Sequence, residues 1–148
     1  MNTQPKPDLR ILALDAGPRS AAILLASCAG LLPRFDAAVV ARTGRPTARE
    51  LDRLDLLESL ADATPVLATS RSVAAKVAQL LDRLHQGDIP LGAYVELATP
   101  VSTDQARTVA PARYTDRMRE ARPLLGLGWS RSDCETYLST WGIEGGRP

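Results

Sequence analysis

Histidine occurs once in the 148 residues, cysteine twice and lysine twice. A zinc centre draws on clustered nitrogen and sulfur ligands, and His85, Cys28 and Cys134 make no such cluster. A Ser–His–Asp hydrolase would have to use His85, and Ser20 is not in a Gly-x-Ser-x-Gly elbow, so that class is set aside. Six aromatic residues leave little material for stacking nucleic-acid bases. No window of ~18 residues is apolar and free of charge, which excludes a membrane-spanning helix. The opening, MNTQPKPD, has prolines and an aspartate where a secretory signal needs an apolar core. A cytoplasmic chain with free thiols is expected.

What is present is ordinary for a globular protein: 45% hydrophobic and 24% charged residues. A chain of this length buries ~68–70% of its unfolded surface, so one core holds it without disulfides or structural metal. The 18 basic and 17 acidic residues leave a net charge of +1. All the basic residues except Lys6 and Lys76 are arginine. Arginine makes planar, bidentate contacts with phosphate or carboxylate, so an anionic partner is compatible with the neutral total. A coding bias produces the same excess, and is the simpler explanation of it.

Residues 1–8 read as a loose polar tail and 9–148 as one compact domain. Leu9 to Leu14 is a short apolar run stopped by Asp15-Ala16-Gly17-Pro18, which suits a buried strand. Ser20 then stands as an N-cap before a helix with Ile23, Leu24, Ser27, Cys28 and Leu31 on one side. Asp36 to Ala41 forms a second strand, broken by Thr43-Gly44-Arg45-Pro46. Thr47 caps a helix with Leu51, Leu54, Leu57, Leu60 and Ala61 at spacings of three and four. Pro65 to Ala68 gives a third strand, followed by a helix capped by Ser70 that carries Val73, Val77, Leu80, Leu81 and Leu84 and ends at Gly87. This alternation predicts an α/β fold, a parallel sheet flanked by helices.

Beyond Gly87 the pattern weakens. Tyr94 to Leu97 suits a fourth strand, Pro100 to Ala112 is loop or weak helix, and Tyr114 to Ala121 is charged with little to bury. Ser130-Arg131-Ser132-Asp133 has the form of a capping box, with Cys134, Leu138 and Trp141 spaced along the helix it opens. Gly126 and Gly128 read as a turn, and His85 as a solvated residue at a helix end. Arg107, Arg113, Arg117, Arg119, Arg122 and Arg131 are interleaved with acids, as on a solvated mixed-charge face. Trp129 is the tryptophan expected to line a cleft.

In an open parallel sheet, ligands bind beyond the carboxyl ends of the strands, so the loops after the first two strands are the first places for chemistry. The first runs straight into a helix N-terminus, where free N–H groups and the helix dipole suit a phosphate. Gly17 would permit close approach and Ser20 would add a hydroxyl. The same residues also read as a plain turn with Ser20 as N-cap.

The stretch ILALDAGPRSAAILL resembles the phosphate-binding loop of the PP-loop ATPases, or adenine nucleotide α-hydrolases, whose loop is usually Ser-Gly-Gly-x-Asp-Ser. It is closest to the phosphoadenosine phosphosulfate reductase-like group, with Gly-Ala-Gly-x-Gln-Ser, which Ala16, Gly17 and Ser20 match. AAVVARTG is similar to that group's strand ending in Asp-Thr-Gly, with Thr43 and Gly44 retained. Asp116-Arg117-Met118-Arg119 and LLGLGWSRSDCETYLSTWGI are similar to its Arg-Met motif and its last helix.

The resemblance implies a Rossmann-like domain of the HUP kind that binds ATP or a related adenine nucleotide, with Mg²⁺ often sharing the phosphate load. It implies an ATP pyrophosphatase, adenylyl-transfer or reductase-like activity, and assigns the nucleotide to Ala16, Gly17, Arg19, Ser20, Arg42, Thr43 and Gly44. It names no catalytic residue. The departures are Arg19 where the family prefers Asp or Gln, Arg42 where it has Asp, and Pro18, which lacks an N–H. Together with a missing Cys-Thr-Arg segment, they keep an alternative open: a degenerate, non-enzymatic binding module for a protein or nucleic-acid partner.

Overall fold

The computed structural model describes residues 6–41, 45–61 and 63–143. Strands β1 (Leu9–Ala13), β2 (Ala37–Ala41), β3 (Val66–Thr69), β4 (Val95–Ala98) and β5 (Met118–Ala121) form one sheet in the order β3-β2-β1-β4-β5. Every pairing is parallel. Helices α1 (Pro18–Cys28), α2 (Ala48–Leu60) and α3 (Val73–Leu84) alternate with the first four strands, and α4 (Pro123–Leu127) and α5 (Arg131–Thr140) follow β5. The result is the expected α/β, Rossmann-like sheet flanked by helices.

Successive strand residues point to opposite faces, and that alternation sorts the core into two clusters. Leu12, Ala38, Val40 and Ala98 meet α1, with Leu57, Leu124, Cys134 and Leu138 completing that side. Ile11, Val39, Val95 and Leu97 meet Val77 and Leu81 of α3 on the other. Helix α1 is buried continuously from Ser20 to Ser27, because α2 and α5 both lean on it. A helix covered on several sides must be apolar on several sides, which explains why AAILLAS shows no polar face. Leu31, expected on its inner side, lies past the helix end and is 54% exposed.

The caps show where local chemistry decides boundaries. Thr47 accepts from the Glu50 amide at 3.1 Å, as expected. At α3 the cap is Ser72 rather than Ser70: Ser72 Oγ accepts from Ala75 N, while Thr69 Oγ1 accepts from Arg71 N and adds a turn before the helix. Ser130 and Asp133 form the reciprocal box at α5. Gly126 belongs to the short α4, and Gly128 ends it at φ 72°, a left-handed conformation that suits glycine.

Strand β5 was not legible as a strand. Its sequence, Met-Arg-Glu-Ala, offers one apolar side chain to the core. Backbone pairing holds it instead: β4 lies on one edge, and the returning chain lies antiparallel on the other. Thr115 N donates to Met118 O at 2.8 Å and Glu120 N to Arg113 O at 2.9 Å. Arginines then tie down neighbouring loops, Arg117 on the Pro90 carbonyl at 2.6 Å and Arg122 on that of Ala110 at 2.5 Å. Part of the expected mixed-charge face is therefore internal scaffolding. His85 is likewise half-buried, its Nε2 2.6 Å from the Asp8 carboxylate rather than solvated. Among the described residues no helix is long and apolar enough to cross a membrane.

Candidate functional site at the switch point of the sheet

Strand order reverses beside β1: β2 and β3 lie to one side, β4 and β5 to the other. The crevice at such a reversal opens between the loops that leave β1 and β4. The loop after β1 was expected in it. The loop after β2, also expected to contribute, carries Arg42, Thr43 and Gly44, which lie outside the described residues. Across the reversal from β1 stands the segment Thr99 to Asp104, which has no clear periodicity in sequence.

In the first loop Gly17 is the N-cap of α1, in extended backbone and without a side-chain cap, and Pro18 opens the helix. Ser20 therefore sits inside the first turn rather than at the cap, and is fully buried. Its hydroxyl accepts from Asp15 N at 2.9 Å and lies 2.8 Å from Asp15 Oδ1 and 3.1 Å from Asp15 O, either of which takes its one proton. Gly17 N donates to the same Oδ1 at 2.8 Å. The exposed Asp15 thus folds its carboxylate over the amide that a phosphate oxygen would use. A Cβ at Gly17 would stand 3.0 Å from that oxygen, which is the local reason for glycine. The Ala16 carbonyl faces α2, where Arg53 Nη1 lies at 3.5 Å.

Across the crevice, Arg19 Nε donates to the buried Ser102 Oγ at 2.7 Å, and Arg19 Nη2 lies 3.3 Å from Asp104 Oδ2. Ser102 donates in turn to Asp104. Asp104 Oδ1 also accepts from Arg131 N in the first turn of α5, at 3.1 Å. The hydroxyl of Ser102, the Arg131 amide and the charge of Arg19 together hold the Asp104 carboxyl down at about 2 despite some desolvation. The N-termini of α1 and α5 are therefore both met by carboxylates of the chain itself.

Trp129 packs against Tyr137 with the rings tilted by 43° and their centroids 4.9 Å apart, and its carbonyl accepts from Thr103 N, fastening the second loop to α5. Cys134 is buried below, and desolvation pushes its thiol up to about 11, which removes it as a nucleophile near neutral pH. Among the described residues no group of three His, Cys, Asp or Glu is placed to hold a metal. Of the expected residues, Arg19 reaches across this crevice, Ala16 and Gly17 lie in its first loop, and Ser20 is buried beneath that loop. Ser102, Asp104 and Arg53 were not anticipated, and the local signal for the first two was the Ser102-x-x-Gln105 spacing, which forms a capping box. No protein-family model and no curated protein matches the chain.

Proposed function

We propose that this chain is a divergent PP-loop-type domain that binds an adenine nucleotide, ATP or AMP, in the crevice between the loops after β1 and β4. The observation that carries the reading is the glycine-opened N-terminus of α1 standing at the reversal of strand order, with Arg19 beside it. Helix N-termini at such points suit phosphate. Entry requires the Asp15 carboxylate to leave Gly17 N, so affinity is set by competition between phosphate and an internal anion. Mg²⁺ would share the phosphate charge, and two free thiols accord with a cytoplasmic setting. No residue is assigned to turnover.

The Asp15 closure and the Arg19–Asp104 pair also favour the second reading, a non-enzymatic module whose phosphate site has become structural and whose partner is a protein or nucleic acid. Thermal unfolding separates the two. Millimolar ATP or AMP, with and without Mg²⁺, raises the midpoint of the wild type on the first reading, since ligand at a hundred times Kd contributes about 2.7 kcal/mol. Gly17→Val abolishes the rise. An unchanged midpoint with every nucleotide sinks the first reading and leaves the second.

A further inference from the structure

A cleft of about 830 Å³ lies beside β5, sharing no residue with the crevice, and is lined by Tyr94, Glu96, Tyr114, Arg119, Glu120 and Arg122 among others. Its size is that of a small-molecule site. Its floor follows from register. Glu96 pairs with Arg119 and Ala98 with Ala121, so these side chains share the sheet face that carries α1. Helices α4 and α5 lean on α1 rather than on β5, which leaves this half of the face open.

Arg122 Nε is bonded to Glu120 at 2.8 Å, while Glu96 lies 3.7 Å from Arg10 Nε, an ion pair beyond hydrogen-bond distance that leaves that buried Nε without a hydrogen bond. Arg119 is half-buried with its guanidinium carbon 4.1 Å from the centroid of the Tyr94 ring. Among the described residues no acceptor reaches its N–H donors. Contact with a ring face offsets part of the desolvation of a cation but satisfies no hydrogen-bond donor. The Arg119 guanidinium thus keeps its forked donors turned to the open cleft, and such a fork fits a carboxylate. Tyr114, 70% exposed at the rim, supplies an aromatic surface beside it.

We propose that this cleft is a second binding site, for a small planar carboxylate of the benzoate class, with the carboxylate on Arg119 and the ring against Tyr114. The site neither requires nor supports the nucleotide reading. Titration of isotope-labelled protein with benzoate, acetate and inorganic phosphate, followed by NMR at the Arg119 Nε–H and the Tyr114 ring, tests it. Benzoate should shift both signals saturably and bind about fivefold tighter than acetate, the ring stack contributing about 1 kcal/mol. Arg119→Gln should lose about tenfold or more, and the exposed Tyr114→Ala, which leaves the fold intact, should erase the advantage over acetate. AMP should leave both signals unmoved. Non-saturating shifts, tighter binding of phosphate than of benzoate, unchanged affinity in Arg119→Gln, or a response of Arg119 to AMP would each overturn the proposal. Should Arg119→Gln unfold, Arg119→Lys keeps the charge over Tyr94 and must still lose the bidentate share of affinity.

Discussion

Arg19 and Ser102, 83 residues apart, are joined by a hydrogen bond of 2.7 Å from Nε to Oγ that crosses the switch point of the sheet. The contact ties the start of α1 to the loop after β4, so the crevice has a fixed wall. It also commits a guanidinium that would otherwise face a ligand.

Removing the bridge should cost stability. Arg19→Ala loses a charge-assisted bond at a side chain 20% exposed, and about 1.5–3 kcal/mol is the usual scale for such bonds. Denaturant unfolding of Arg19→Ala, Ser102→Ala and the double variant should show non-additive losses, because the two residues share one interaction. Strict additivity would mean that the bridge contributes nothing.

Asp104 makes the fold acid-sensitive in a defined window. Its folded-state value near 2 is below the ordinary 3.8, so the folded state favours the charged form. The stabilisation is complete above about pH 4 and is lost as pH falls through about 2. Asp104→Asn keeps an acceptor oxygen but no charge. The difference in thermal midpoint between wild type and this variant should shrink as pH is lowered across that window, and a constant difference would contradict the assignment.

The thiols should separate by reactivity. Cys134 is fully buried, and its shift from 9.0 to about 11 suppresses the thiolate. Cys28 is only partly buried. A thiol reagent at mildly alkaline pH should label Cys28 in the native protein and Cys134 only on unfolding. Because the folded-state value is raised, the stability that Cys134 contributes below about pH 9 should fall as pH rises towards 11. Equal labelling rates for both would place Cys134 at the surface.

What was legible in sequence is what local pattern controls. Apolar runs of strand length stopped by Gly and Pro located β1 and β2, and the leucine spacings located α2 and α3, because those elements bury a single face or lie in the sheet interior. Strand β5 escaped because its pairing, not its side chains, makes it a strand. The first loop of the crevice was visible at Gly17. Its partner at Ser102 was not, since strand order is set by long-range pairing that no local window records. The roles of Ser20 and Asp15 were hidden for a related reason: a hydroxyl three residues past a glycine reads alike whether it faces a ligand or turns back on its own loop.

The central claim, that a phosphate site at α1 is held closed by the chain's own carboxylate, is tested most directly by titrating ATP into wild type and Asp15→Asn by calorimetry. The asparagine oxygen can still accept from Gly17 N, so the loop is kept while the charge that opposes phosphate is removed. Two unit charges about 4 Å apart at an exposed site repel by about 1 kcal/mol, so the variant should bind ATP roughly fivefold tighter than wild type. Equal or weaker binding by Asp15→Asn, or no heat from either protein, would contradict the account.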